Sequence, residues 1–569
     1  MHKKATGKTN VLSAVRVLCI AAASLICAAC SAGTEGKKIL YTGSWNAPNT
    51  PQAFKNVEYI EKQFPFDGMI ISAGIDVTVD GKKINFSPYW TTFKVPVRLT
   101  DKDIQPWIDA FSRLKFKKMT HNFLKVSTSL MNPDWFDDKS WEQSLHNYRM
   151  TARMAKKMGL KGICLDVEPY VIGGVYYAPL AVRATGKYTP EQTGRKIRER
   201  AAEWIKAVTA EFPDMTLFTF FWTGCCSHPR YGKTSGYAFL PEFINGVYDG
   251  APETMHIVDG NEEMGYIACE LQDYRKIVSD YYFSVGKYIA IENRAKFYRI
   301  TSLATSLYLD SFWVGNGNYY NNHARSNNPT AMLETCISRS AAHAERYVWV
   351  YGERGAFATD LQPANRRFPD WNTRIPMVRE AVSAGMDPLG AAKKYAGKKN
   401  MLRNGGFDSK DGKFTGWGVW HKPNLPPGKI NAQNGEITVR DAVSTSLSQS
   451  IRGFRPGERY LFRVRARQTG KWQKPSIGGF FRNSRGMGYF HGAVSAPFGE
   501  PDAQGIREAA LIIEIPADID AASFLATCSV SGLRHGIPAG DSVSFISAEF
   551  RKIEYPWNGL KKLEITQKK

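Results

Sequence analysis

The chain has 569 residues, too many for one small domain, and its 43% hydrophobic and 12% aromatic content is ordinary for a folded protein, so two domains with full cores are expected and wholesale disorder is excluded. A formal net charge of +22 raises nucleic acid as a partner. Lysine and arginine are nevertheless spread through every segment, with no dense basic block and no nucleic-acid motif, so no nucleic-acid partner is expected; a solvated basic face is preferred, with acidic glycans or an anionic cell envelope as intermediate readings.

In chain order, "MHKKATGKTNVLSAVR" is basic, "VLCIAAASLICAA" is apolar over roughly a dozen residues, and small residues precede Cys30, so residues 1–29 read as a signal peptide. The run "ICAAC" followed by "SAG" resembles a bacterial lipobox, which implies that Cys30 becomes the lipidated first residue of the mature chain. Cys27 stands where that motif prefers leucine, and the alternative is a plain secretory cut. Residues 30–37 then form a lipidated linker, and no other apolar run reaches the roughly 20 residues of a membrane span. The expected location is the bacterial cell envelope, on the outer membrane through the anchor, or periplasmic or secreted without it.

From residue 38 to about 353, short apolar runs alternate with helical stretches. The runs are "ILYT" at 39, "FDGMIISA" at 66, "HNFLKVS" at 121, "LKGICLDVE" at 160, "MTLFTFFW" at 215, "MHIVDG" at 255, "KYIAIEN" at 287 and "RYVWVYGE" at 346. Eight parallel strands joined by crossover helices fit a (β/α)8 barrel, assigned to residues 38–399 with a helical exit after 354. Two helices carry strong signals. Ser140 with Gln143 predicts a capped start ahead of a stripe of Trp141, Leu145, Tyr148, Ala152 and Ala155, and Thr189, Pro190 and Gln192 predict another ahead of Ile197, Ala201, Trp204, Ile205 and Val208.

Residues 400–569 change character to alternating runs such as "GEITVRDA", "STSLSQSI", "RYLFRVRARQ" and "SVSFISAEFRKIEY" between turn residues, which predicts an all-β sandwich. The fold class is therefore α/β: a (β/α)8 barrel followed by an all-β sandwich. This second part resembles the jelly-roll carbohydrate-binding modules appended to bacterial polysaccharide enzymes, on "NGGFD", "TGWGVW", "SLSQSI" and "PGERYLFRVRARQTG" in that order over roughly 165 residues. Trp420, Trp472, Phe481 and Tyr489 are candidate stacking platforms for sugar, each weighed against ordinary packing. Cysteines 164, 225, 226, 269, 336 and 528 lack metal-site spacing and read as buried free thiols, so neither a metal nor a cofactor is expected.

The chemistry centres on "GICLDVEPY", residues 162–170. Side chains alternate along a strand, so Ile163, Leu165 and Val167 face the helices while Cys164, Asp166 and Glu168 face the barrel axis. Asp166 and Glu168 then lie at the C-terminal end of the fourth strand, where barrel enzymes place their chemistry. Paired carboxylates in one cleft oppose each other's ionisation, so one holds its proton near neutral pH, as cleavage of a glycosidic bond requires; an acid tied to a neighbouring cation is the bland alternative.

"KGICLDVE" resembles the D-x-x-D-x-D-x-E end of the fourth strand of chitinase-type barrels, with Lys161 and Cys164 at the two earlier aspartates. That likeness implies Glu168 as acid and Asp166 as the residue positioning a substrate acetamido nucleophile. "VEP" and "YIAIENRA" are similar to the acid/base and nucleophile glutamates of the large clan of retaining barrel glycosidases, which implies Glu168 and Glu292, although asparagine is missing before Glu168. Asp259, Glu262 and Glu263 in "VDGNEEMGY" and Glu353 in "WVYGERG" are other rim acids, any of which could replace Glu292. Tyr170, Trp222, Trp313 and Trp349 lie near the same rim; core packing is preferred for Trp349 and substrate contact for Trp222.

The functional expectation is an exported glycoside hydrolase: catalytic Glu168, Asp166 and Glu292; substrate-binding Tyr170, Trp222, Glu263, Trp313 and Glu353; lipidation at Cys30; a polysaccharide or glycoprotein glycan as substrate; and the membrane as a partner through the anchor. The alternative is a surface glycan-binding lipoprotein on a barrel that does no chemistry.

Overall fold

Parallel strands cannot be joined by tight turns, so each crossover carries a helix and each helix buries one strand face. The computed structural model describes residues 36–560 except 44–49, 51–53, 55, 89–96, 128–134, 169–186, 221, 227–236, 314–319, 321–325, 360–367, 486–487, 517–521 and 533–539, with backbone alone for Cys225 and 489–492. Two compact units result, the first running to Met386 and the second spanning Asp387–Asn558.

In the first unit the strands are β1 (Lys38–Gly43), β2 (Gly68–Ile71), β3 (Phe123–Ser127), β4 (Gly162–Asp166), β5 (Thr216–Thr219), β6 (His256–Asp259), β7 (Thr301–Leu303 with Thr305–Tyr308) and β8 (Tyr347–Gly352). The crossover helices are α1 (Val57–Gln63), α2 (Asp101–Ser112), α3 (Asp138–Lys157), α4 (Pro190–Glu211), α5 (Leu240–Gly250), α6 (Leu271–Tyr288) and α7 (Pro329–His343), and α8 (Val378–Met386) follows β8. All ladders of the barrel sheet are parallel, and hydrogen-bond pairing gives it nine strands rather than the expected eight. The difference lies in β7. Thr301–Leu303 pairs with β6 and Thr305–Tyr308 pairs with β8, so the two ends of the sheet are halves of one segment that changes partner at Ala304.

The seventh strand was expected at "KYIAIEN", which is instead the end of α6 followed by a 3-10 turn at Ile291–Asn293. The true strand, "TSLATSLY", reads as polar because its inward Ser306 must fit under a closely packed helix: a Cβ on Gly265 would lie 2.1 Å from Ser306 Oγ. A β-hairpin, Ile75–Val79 with Lys82–Phe86, leaves the C-terminal end of β2 and turns at Asp80 and Gly81, both at positive φ as a two-residue turn demands.

The helices follow the sequence signals with one shift. Thr189 closes a capping box on Gln192 at the start of α4, as expected. For α3 the cap is Asp137, whose carboxylate accepts from Lys139 N and Ser140 N, so Ser140 sits inside the first turn rather than before it. Trp141, Tyr148, Ala152 and Ala155 on α3, and Ile197, Ala201, Trp204, Ile205 and Val208 on α4, are buried. Inside the barrel, rings stack in layers: Phe123, Phe218 and Tyr347 meet at 5.5 to 5.9 Å near the strand N-termini, and Phe220 lies on Trp349 at 4.6 Å one layer up. Trp349 is core, as preferred.

The second unit is built from two antiparallel sheets. One pairs Lys429–Gln433, Glu436–Arg440, Ser542–Ile553, Arg459–Thr469 and Ile506–Glu514 in that order, with Ala396–Asn400 added along Ser542–Ile553. The other pairs Gly418–His421, Ser444–Ile451, Ser523–Ser531, Lys474–Arg482 and Gly488–Pro497. Leu447, Ile477 and Phe524 from the second sheet pack with Phe462, Phe545 and Phe550 from the first in one core. The strand Ala396–Asn400, read from the sequence as part of the barrel's exit, pairs within this unit.

Close helix packing makes one position intolerant. A Cβ on Gly246 of α5 would fall 2.1 Å from Arg198 O of α4. Gly246→Ala is expected to destabilise the first unit by about 1–3 kcal/mol, read as a lowered urea midpoint; an unchanged midpoint would show that α4 and α5 do not meet there.

Candidate active site

Barrel closure places inward side chains of neighbouring strands side by side. In the β3–β4 ladder Lys125 is level with Cys164 and Ser127 with Asp166. Lys125 Nζ lies 3.3 Å from Asp166 Oδ2, with the Asp166 side chain fully buried. The ammonium also sits 4.9 Å from the centre of the Phe220 ring. One residue past the strand, Val167 is buried toward the helices, and the Glu168 backbone N–H then donates to Asp166 Oδ1 at 3.0 Å. Glu168 is half-buried at the C-terminal mouth. The axis-facing set expected from alternation, Cys164, Asp166 and Glu168, is thus brought together.

A second acid enters from β6 by a tight reversal. A Cβ on Gly260 would lie 2.2 Å from Thr219 O, and Asn261 takes the left-handed conformation at φ 47°, so the short helix Glu262–Ile267 folds back over the mouth. Ser306 Oγ donates to Glu262 O at 2.6 Å and pins that helix to β7. Tyr266 OH donates to Glu262 Oε1 at 2.8 Å, while Oε2 is sealed from solvent with no hydrogen-bond partner. Burial, and then the neighbouring Asp166 charge, push Glu262 up to about 8, so it keeps a proton at neutral pH. Burial raises the Tyr266 phenol, and Glu262 and, more weakly, Glu168 raise it further.

Tyrosines wall the mouth on the β7–β8 side. Tyr266, Tyr308 and Tyr351 stack with centroids 5.3 to 6.1 Å apart. Tyr351 OH and Tyr308 OH donate to the two oxygens of Glu353 at 2.7 and 3.2 Å. Asp310, at the end of the true seventh strand, accepts from the backbone N–H groups of Glu353 and Arg354 at 2.8 and 3.2 Å, and burial raises it to about 6. Asp310 was missed because the strand preceding it was misplaced. The signal was present in "TSLATSLYLD", a β-rich run ending in an acid.

The remaining sequence candidates divide by geometry. Glu353 lies at the mouth. Glu263 is buried beside Glu262. Trp313 follows the turn after β7 and carries the Arg374 guanidinium at 3.6 Å over its ring. Glu292 is not brought to the mouth: it sits in the connection leading into β7, at the opposite end of the barrel, exposed and bonded to Arg198 at 2.8 Å, which holds its carboxyl below the usual range. Trp222 is fully buried and donates to Tyr248 OH at 3.1 Å, so no part of it reaches the mouth. Asp259 is level with Thr219 and Leu165, which face the helices, and accepts from Thr223 Oγ1 and Gly224 N at 3.0 and 2.9 Å. It is a buried anchor, raised by burial to about 6. Tyr170 and Cys30 lie outside the described residues. Cys164, Cys226, Cys336 and Cys528 are buried free thiols and Cys269 is partly exposed. Among the described residues no group of three or more His, Cys, Asp or Glu could hold a metal ion.

In the second unit Phe481 is core, and nothing is assigned to the Tyr489 side chain, which is among those not described. Trp420 is 50% exposed on the edge strand Gly418–His421, level with Ser446, whose Oγ lies 2.8 Å from Ser529 Oγ on the next strand. Trp472 is partly exposed and its backbone N–H donates to Asp541 Oδ2 at 2.8 Å.

No family model and no curated protein sequence matches the chain. Among solved structures, a chain from Bacteroides thetaiotaomicron provisionally assigned as an alpha-L-fucosidase is similar over 92% of this chain and 96% of its own, at 9% identity and a TM-score of 0.33. A CBM61 in complex with β-1,4-galactotriose covers 27% of this chain and 99% of its own at 16% identity and a TM-score of 0.19. The CBM22-1 xylan-binding domain of Paenibacillus barcinonensis Xyn10C covers 24% and 87% at 10% identity and a TM-score of 0.17. Likenesses this distant leave the activity to be argued from the chain's own residues.

The retained proton has a measurable signature. Glu262 in the folded chain stays protonated to about 8, whereas the unfolded carboxyl releases its proton near 4.5, so its contribution to stability is complete at low pH and is lost as pH rises toward 8. The half-buried His121, His256 and His343, all lowered by burial, are shared by wild type and Glu262→Gln, so the difference between the two profiles reports Glu262. The wild-type unfolding free energy is expected to fall between pH 6.5 and 8 and that of Glu262→Gln to stay nearly flat; parallel urea-unfolding profiles would contradict the assignment.

Proposed function

We propose that the protein is an exported glycoside hydrolase acting on polysaccharide or glycoprotein glycans, with Glu168 as the general acid. Glycosidic cleavage needs a proton for the leaving oxygen and negative charge near the developing oxocarbenium ion. The observation that carries the reading is the shared mouth: Asp166 at the end of β4, paired with one buried lysine, and Glu168 two residues on lie near the proton-holding Glu262. Glu168 is half-buried at the end of β4, and on this reading it is the member that touches a sugar. Substrate that covers the mouth removes water from Glu168 and so favours its protonated form, while Asp166, fixed by Lys125, supplies the charge beside the anomeric carbon. Glu262 is the reserve that keeps one proton in the cluster at neutral pH. Glu353, oriented by two phenols, is assigned to substrate hydroxyls.

The second unit is assigned to glycan binding, with Trp420 as a stacking platform beside the Ser446–Ser529 hydroxyls. Export is proposed from the basic and then apolar stretch over residues 1–29, read as a signal peptide, with Cys30 as the lipidated residue. Glycan binding without turnover is the competing reading, favoured by Lys161 and Cys164 at the positions of the missing aspartates.

Reducing-sugar release from a panel of plant, algal and mucin glycans separates the two. Glu168→Gln is expected to lower turnover at least about a hundredfold on any glycan the wild type cleaves while retention in affinity gels containing that glycan is unchanged. Full activity in the variant would remove Glu168 as the acid. A wild type that binds glycans of the panel and cleaves none would favour the binding protein.

A further inference from the structure

We propose that the face of the barrel opposite the mouth is a docking surface for anionic phospholipid headgroups, which holds the first unit base-down on a membrane with its acidic mouth turned away.

Helices of a (β/α)8 barrel run opposite to its strands, so every connection from a helix back to a strand lies on the strand N-terminal face. Seven such connections are described, from α1–β2 to α7–β8. Together with Lys37, which leads into β1, they carry ten lysines and arginines against five acids. Several of the acids are already engaged: Asp67 lies 3.8 Å from Lys38, Glu253 pairs with Arg299 at 2.7 Å, Glu292 with Arg198, and Glu345 accepts from Leu303 N at 2.9 Å. Lys115, Lys117, Lys161 and Arg346 are exposed. Lys156 and Lys157 in the last turn of α3 are exposed beside them.

Uncovered apolar groups adjoin the same face, Ile291 and Tyr298 in the connection from α6 to β7 and Tyr282 and Phe283 in the last two turns of α6. Phe283 is 69% and Ile291 79% exposed, with Tyr282 and Tyr298 also open to solvent. Cations interspersed with exposed aromatic and aliphatic side chains suit the headgroup zone of a bilayer, where the charges meet phosphates and the apolar groups enter the acyl boundary.

Two further facts point to a lipid surface as the occupant. Cys30 is only seven residues before Lys37, a reach of at most about 25 Å, and Lys37 lies on this face, its Nζ donating to Ala341 O at 2.6 Å near the end of α7. The strand-to-helix connections around the mouth carry 14 lysines and arginines against 12 acids, so the twofold basic excess belongs to the opposite face. Lipidation of Cys30 is part of the proposed function and explains how the face is delivered to a membrane; the docking itself requires only the cations and apolar groups.

The test is vesicle flotation of the full chain carrying Cys30→Ala, so that no lipid is attached, with and without two sets of substitutions: Lys115→Glu/Lys117→Glu/Lys161→Glu, and Phe283→Ser/Tyr298→Ser. With vesicles of one part phosphatidylglycerol to three parts phosphatidylcholine, the Cys30→Ala chain is expected to float. The lysine set is expected to lower the bound fraction about tenfold or more, the apolar set to lower it less, and phosphatidylcholine alone to bind poorly. Thermal unfolding of both sets verifies that they fold. Equal binding by the Cys30→Ala chain and the lysine set, or equal binding to neutral vesicles, would overturn the proposal. Retention on a soluble polyanion such as dextran sulfate without flotation would also overturn it and assign the face to acidic glycans. Mass spectrometry of the exported wild-type protein reports lipidation separately, so a failure of the anchor and a failure of the face are distinguishable.

Discussion

The first unit depends on one constraint: among the described residues its mouth buries more acids than cations. Lys125 is the buried cation at the Asp166 carboxylate, and Glu262 comes within reach of the same charge. Water cannot relieve the repulsion, because the tyrosine stack and the helix Glu262–Ile267 cover the mouth on one side. A proton is therefore retained. Glu262, whose Oε2 is sealed from solvent, keeps it, and the half-buried Glu168 is left at the surface, where it can meet a substrate. Breaking a buried ion pair by removing one partner commonly costs about 3–5 kcal/mol, so Lys125 is as much a structural requirement as an electrostatic one.

The two ends of the barrel differ in charge balance. The helix-to-strand connections with Lys37 carry ten lysines and arginines against five acids, whereas the strand-to-helix connections carry 14 against 12 and the buried acids gather at the strand C-termini. That polarity links the two proposed activities. A base that favours anionic headgroups turns the carboxylates toward whatever lies beyond the membrane, and a lipid on Cys30, eight residues before β1, would act on the same end.

Strand alternation and helix capping made much of this legible in the sequence. The period-two pattern of "GICLDVEPY" places Asp166 on the axis and Glu168 at the rim, and Thr189, Pro190 and Gln192 mark the start of α4 to the residue. What misled was chemistry that imitates a strand or conceals one. "KYIAIEN" is apolar and β-branched, yet it is a helix end and a turn with Ile291 open to solvent, and this carried Glu292 to the wrong end of the barrel. The real β7 hides behind serines and threonines because Ser306 supports the Glu262–Ile267 helix through Gly265. Asp259 shows a further limit. A strand-end acid has two faces to choose from, and only the register, level with Leu165 and Thr219, sends it toward the helices. Trp222 reads as a rim aromatic for the same reason, but a bond to Tyr248 holds it inside.

The most direct test of the central claim is the protonation state of the Glu262 carboxyl itself, by difference infrared spectroscopy between wild type and Glu262→Gln across a pH titration. The account predicts a protonated-carboxyl carbonyl band in the wild type at neutral pH that disappears near pH 8 and is missing from the variant. A wild-type spectrum with that carboxyl already ionised at pH 6 would show that the buried acids share no proton, and the mouth would lose the physical basis assigned to it.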